Sequence, residues 1–252
     1  MKIFSVEKGT GVPVLFLHGF PFDHQLWDLL HMYLHENIRS ITPDLRGFGK
    51  SKVRKTEFTM QEMAKDVVDL IDEKQIGDAI VIGHSMGGYL GLEMIRQNPD
   101  RVRAIVLVAS HVFGDTEKKK ESRLKTKKQL NKLLPSTVFK DMPKKLSSNP
   151  EVQKYCMRAI GKAESEGLQG ALYAMANRKS SEDLWASVDI PKLLIAGKED
   201  QFISRDMSDE MAEIGREVNY VLVDGAGHML MCEKPTVTAR IINAFTVKVT
   251  RN

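Results

Sequence analysis

The chain has 252 residues, 42% hydrophobic and 28% charged, a balance that excludes wholesale disorder and allows one large domain or two small ones. Its formal net charge of +4 is too mild to argue for nucleic acid or an anionic membrane surface. Met1 to Gly11 holds no apolar h-region and no stretch approaches the ~18 apolar residues of a span, so a cytoplasmic protein without a membrane span is expected.

Short runs rich in Val, Ile and Leu predict strands buried on both faces, the first two at 12–17 and 38–42. His31 and His35 between them have the spacing of a zinc helix. Met32 stands where that motif needs glutamate, so a solvated or half-buried helix face is the reading. Gly49-Lys50-Ser51 resembles the end of a phosphate loop, but Asp44 occupies the position of its first glycine, and ATP binding is not supported.

Thr59 with Glu62 forms a capping-box signature, and Met63, Val67, Leu70 and Ile71 follow at helical spacing until Gly77. A strand at 79–82, a helix at 86–97 stopped by Pro99, and a strand at 102–108 come next. The alternation then fails from 111 to 188, where Val152, Tyr155, Cys156, Ala159 and Ile160, then Leu168, Leu172 and Met175, recur at helical spacing. Strands resume at 192–196 and 218–223, and Pro235 can open a last helix carrying Val237, Ile241, Ile242 and Phe245. The fold class is α/β: a mostly parallel sheet covered on both faces, with a core of 1–110 and 189–252 interrupted by a helical insertion at 111–188.

Charge is concentrated in that insertion. Between Lys118 and Lys145 eleven Lys or Arg stand against Glu121 and Asp141, a local +9 over a remainder of −5. Two readings are open: a solvated surface, or a face that attracts an acidic partner or substrate. The two cysteines, Cys156 and Cys232, lack metal-ligand spacing and read as buried thiols in a reducing compartment; no metal is expected.

Gly83-His84-Ser85-Met86-Gly87 matches G-x-S-x-G, and the strand before it and helix after it supply the setting of a nucleophile elbow. Ser85 would sit at a tight, strained turn that exposes its hydroxyl. The Met86 amide at the helix N-terminus would face the negative charge that develops on an attacked carbonyl.

His18-Gly19-Phe20-Pro21, Asp44-Leu45-Arg46-Gly47-Phe48-Gly49-Lys50-Ser51, Gly197-Lys198-Glu199-Asp200 and Gly225-Ala226-Gly227-His228 each follow a predicted strand. With the elbow, they make the chain similar to lidded serine esterases of the α/β-hydrolase superfamily. That resemblance implies Ser85 as nucleophile, Asp200 as triad acid and His228 as general base. It implies an oxyanion hole from the backbone amides of Phe20 and Met86, which would also bind substrate, and no cofactor. Glu199, Asp206 and Asp209 compete with Asp200 for the acid's role. His18 is expected to orient the oxyanion loop, and Asp44 and Arg46 to hold a loop together.

In that family a helical lid between the sixth and seventh strands covers the nucleophile. Relatives resembling haloalkane dehalogenases and epoxide hydrolases carry aspartate at the elbow, whereas serine there implies cleavage of an ester, thioester, lactone or amide through an acyl-enzyme. The resemblance leaves three functions: a carboxylesterase on small to medium acyl substrates, with acidic or carrier-protein-linked substrates drawn to the basic lid; a slow-turnover small-molecule receptor or stress-signalling protein; or an acyltransferase or perhydrolase.

Overall fold

In the computed structural model, which describes residues 1–251, four strands and three helices precede the fifth strand. They are β1 (Ser5–Lys8), β2 (Val12–Leu17), α1 (Asp28–His31), β3 (Ile38–Pro43), α2 (Met60–Glu73), β4 (Ala79–His84) and α3 (Met86–Gln97). After β5 (Val102–Val108) come six helices in succession: α4 (Glu117–Gln129), α5 (Pro135–Val138), α6 (Met142–Leu146), α7 (Pro150–Lys162), α8 (Ser165–Ala176) and α9 (Glu182–Ser187). The chain returns through β6 (Lys192–Gly197), α10 (Arg205–Ile214), β7 (Val218–Val223), α11 (Leu230–Glu233) and α12 (Pro235–Arg251).

The sheet order is β1-β3-β2-β4-β5-β6-β7, parallel throughout except that β1 runs antiparallel to β3. Two features depart from the sequence reading. β1, with the sequence Ser-Val-Glu-Lys, has no apolar run to reveal it and forms through its pairing with β3. β7 is half-buried because it closes the sheet's edge, so its apolar run is not covered on both faces. Only β1 joins the four strands expected ahead of the insertion, which therefore falls between the fifth and sixth strands.

Side chains of the central strands alternate between two cores, as the two-residue period of a strand requires. Leu15, Leu17, Val81, Ile105, Leu107 and Leu194 face α2 and α3, whereas Val14, Phe16, Ile80, Ile82, Val106 and Ile195 face α1 and α12. The capping box of α2 closes in both directions, with the Thr59 hydroxyl accepting from the Glu62 amide and the Glu62 carboxylate from the Thr59 amide.

The inserted helices pack into both cores. Leu168, Leu172 and Met175 of α8 join the first, and Leu146, Val152 and Cys156 join the second. Helical spacing alone leaves open whether such a face docks on the body or lines a pocket; here the α8 face docks, while the α7 face does both, since Val152 and Tyr155 also line a groove. α4 has no fully buried residue and no apolar face; it lies against α8 through half-buried side chains such as Arg123 and Lys127, and turns most of its other lysines to solvent.

Candidate active site

The carboxyl ends of β2, β4, β6 and β7 converge on one edge of the sheet, where ligands bind in open α/β folds. β4 delivers Ser85 there. The Ser85 backbone has φ 50° and ψ −112°, outside the regions L-residues favour. Hydrogen bonds hold it: its amide donates to the Val108 carbonyl at 3.0 Å, and its carbonyl accepts the Ser110 hydroxyl at 2.8 Å and the Gly88 amide at 2.9 Å. The flanking glycines are required by contact. A Cβ on Gly83 would lie 2.4 Å from the Gly87 carbonyl, and one on Gly87 would lie 2.1 Å from the Leu17 carbonyl oxygen. Ser85 is half-buried between buried neighbours, and α3 begins at the next residue with its amides directed at the site.

The acid and the histidine arrive on the loops after β6 and β7. His228 Nδ1 lies 2.8 Å from Asp200 Oδ2, and both side chains are buried. The other Asp200 oxygen accepts the Phe202 and Ile203 amides at 2.7 and 3.1 Å, which fixes the carboxylate. Of the four neighbouring acids, Asp200 is the one bonded to the histidine, while Glu199 and Asp206 are exposed. The two loops meet because Gly197 has no side chain: a Cβ there would come within 2.2 Å of the Gly227 carbonyl oxygen.

Two rings flank His228, with centroids at 4.9 Å for His84 and 5.0 Å for Phe202. Burial above all, with the neighbouring His228 imidazole adding to it, pushes the His84 imidazole well below its usual range, so it is neutral and its Nε2–H donates to the His228 carbonyl at 3.0 Å.

In the loop after β2, Phe20 is buried against Phe48 and Phe139, and its amide meets no acceptor among the described residues. His18 supports this loop. Its Nε2 accepts the Leu45 amide at 3.0 Å, so Nδ1 carries the proton and donates to the Gly19 carbonyl at 3.0 Å. With both ring nitrogens engaged and burial lowering its pKa, His18 is structural.

The Asp44 carboxylate accepts the amides of His24 and Lys50, both at 2.8 Å, and Arg46 forks onto Asp66 at 2.6 and 2.9 Å. Asp23, His24 and Asp44 bring potential metal-ligand atoms within 4.8 Å of one another, but Asp44 is already committed to those amides. α1 ends at His31, so His35 lies off the helix and the zinc-like spacing dissolves.

A groove of about 530 Å³ runs between α7 and the segment Asp23–Leu29, walled by Leu26, Val152, Tyr155, Ala159 and Cys232. Tyr155 stacks on Phe22 at 6.0 Å, and Phe22 lies 6.3 Å from His84, so rings connect the groove to His228. His84, Ser110 and Phe202 escaped the sequence reading. Of these only His84, a histidine ending an apolar strand, left a trace in sequence.

A family model described as the alpha/beta hydrolase fold matches residues 12–235. An esterase from Thermogutta terrifontis, solved with malate bound, superposes with a TM-score of 0.94 at 30% identity, covering 98% of this chain and 93% of its own. A 2-(acetamidomethylene)succinate hydrolase from Mesorhizobium japonicum is 25% identical over 95% of this chain and 89% of its own length. A haloalkane dehalogenase from Agrobacterium fabrum is 33% identical over 42% of this chain and 34% of its own.

Proposed function

Since the chain belongs to the α/β-hydrolase family and is built as a hydrolase, we propose that it is a serine esterase cleaving small to medium acyl esters. The supporting observation is the His228–Asp200 hydrogen bond at the sheet edge that carries Ser85 on its strained turn. In this reading residues 111–188 are a lid over a core of 1–110 and 189–252. Both cysteines are free thiols, which suits the cytoplasm.

The Ser85 hydroxyl attacks the ester carbonyl while His228 Nε2 takes its proton. The carbonyl π electrons move to oxygen, and the amides of Phe20 and Met86 stabilise the oxyanion. Collapse expels the alcohol, protonated by His228. Water activated by His228 then releases the acid and restores Ser85. Asp200 holds the Nδ1–H tautomer and stabilises the imidazolium. Serine at the elbow supports the acyl-enzyme route over one that needs an aspartate nucleophile.

A fluorophosphonate probe is expected to label the protein at Ser85, and Ser85→Ala to abolish both labelling and p-nitrophenyl ester turnover. Labelling that survives the substitution overturns the assignment.

The substrate class includes esters that bear a carboxylate, and an acidic carrier is a macromolecular form of the same charge. The cationic α4 supports this, as do the malate held by the Thermogutta esterase and the succinate derivative named for the Mesorhizobium hydrolase. Raising ionic strength should lower kcat/KM for a carboxylated ester much more than for its neutral analogue. An equal response rules the preference out.

A further inference from the structure

The histidine loop is bonded directly to the inserted helices. The His228 amide donates to the carbonyl of Leu146, the last residue of α6, at 3.0 Å. The Ser147 hydroxyl, buried at 3% exposure, donates to Glu233 Oε1, and Glu233 Oε2 accepts the Gly227 amide at 2.8 Å. The Leu146 carbonyl and the Glu233 carboxylate thus fasten two successive amides, those of His228 and Gly227.

Ser147 is itself anchored to α7. Its hydroxyl accepts the Asn149 amide at 3.0 Å, its carbonyl accepts Gln153 Nε2 at 2.8 Å, and Asn149 caps α7 through the Glu151 amide at 2.9 Å. One turn along, Tyr155 of the same helix stacks on Phe22, two residues beyond Phe20. α7 therefore touches the support of both halves of the site. Gly227 has little room beside this link, since a Cβ there would lie 3.2 Å from the Leu146 oxygen and 3.5 Å from the Glu233 carboxylate.

We infer that Glu233 and Ser147 are positioning residues, and that through them the seat of α7 sets the place of the His228 ring between Ser85 and Asp200. The inference rests on the esterase reading. A histidine displaced by a fraction of an ångström still allows substrate to bind but transfers protons poorly, so the loss falls on kcat and not on KM.

Glu233→Ala is expected to lower kcat on a p-nitrophenyl ester by about 10- to 100-fold, with KM within about twofold. Ser147→Ala should act in the same direction. The double variant should be no worse than Glu233→Ala alone, because the two residues share one link. Glu233→Gln should keep kcat within about threefold, since its amide oxygen can accept from Gly227 and its NH₂ can donate to the Ser147 oxygen.

Hydrogen exchange of residues 225–233 reads the link without activity. Ser147→Ala should speed exchange there by about tenfold while leaving residues 79–97 unchanged. Full kcat in a folded Glu233→Ala or Ser147→Ala, losses that multiply in the double variant, or unchanged exchange each overturns the inference. Wild-type protein that resists labelling at Ser85 instead overturns the esterase reading, and the exchange result still decides the link.

Discussion

Ser85 and His228 show how much of this chemistry depends on backbone conformation. A non-glycine residue at φ 50° and ψ −112° stores about 1–3 kcal/mol of strain, which persists only where neighbours over-determine it. Here the Val108 carbonyl, the Ser110 hydroxyl and the glycine contacts do so. His228 depends on tautomer as well as place. Asp200→Asn keeps the size of the acid, but its amide can present an N–H to Nδ1 and so favour the wrong tautomer. Turnover should fall by about 10⁴-fold with the fold intact by circular dichroism. A loss under tenfold would mean that another acid serves His228.

At the level of elements, Asp115 clasps the inserted helices at their base. Its carboxylate, fully buried, receives Arg123 of α4 at 2.5 Å and Arg178, just past α8, at 2.8 Å. Arg178 also donates to the Phe113 carbonyl at 2.9 Å and lies 4.1 Å over the ring of Tyr89 on α3. Burial raises the Asp115 pKa, but Arg123 and Arg178 outweigh it and hold the carboxyl below its usual range. Its contribution to stability is therefore complete above about pH 4 and fades as acid carries the pH through the depressed folded value. Asp115→Asn leaves two guanidinium groups without a counter-charge and should cost about 3–5 kcal/mol in urea unfolding at neutral pH. A change below 1 kcal/mol would show that the arginines find other partners.

The clasp was hidden in sequence because Arg123 is one of eleven cations in the basic run and Arg178 lies far from it along the chain. Three members of or near that run are paired locally or across the body: Lys120 with Glu117, Arg123 with Asp115, and Lys127 with Glu57. By contrast, the apolar faces of α7 and α8 were legible, since spacing alone sets which residues of a helix share a face, but what each face packs against was not. β1 was not, because an edge strand held by backbone pairing needs no apolar pattern. The positions of Ser85, Asp200 and His228 were visible because each sits where a strand must turn. Ser147 and Glu233 were not, because their meeting depends on how α6 seats against α11.

For the whole molecule, buried neutral histidines govern behaviour in acid. Burial lowers the pKa of His18 and His84, takes His31 to about 4 and takes His111 to about 3. The unfolded chain protonates these rings near pH 6.5, so their contribution is complete above that pH and falls below it. Each ring can remove up to about 1.4 kcal/mol per pH unit until its folded pKa is reached. The urea midpoint should therefore be clearly lower at pH 5.5 than at pH 7.5. Equal midpoints would mean that these rings are accessible to protons in the folded state.

The insertion between β5 and β6 also bears on the order in which the molecule assembles. Pairing those strands closes a connection of about eighty residues, against about twenty for β6 with β7, an added loop-closure cost of roughly 1 kcal/mol. β2 to β5 can pair first from the N-terminal side, with Ser85 already on its turn. Asp200 and His228 belong to the segment that docks across that late seam, so a nascent chain presents Ser85 before it holds the two residues proposed to activate it.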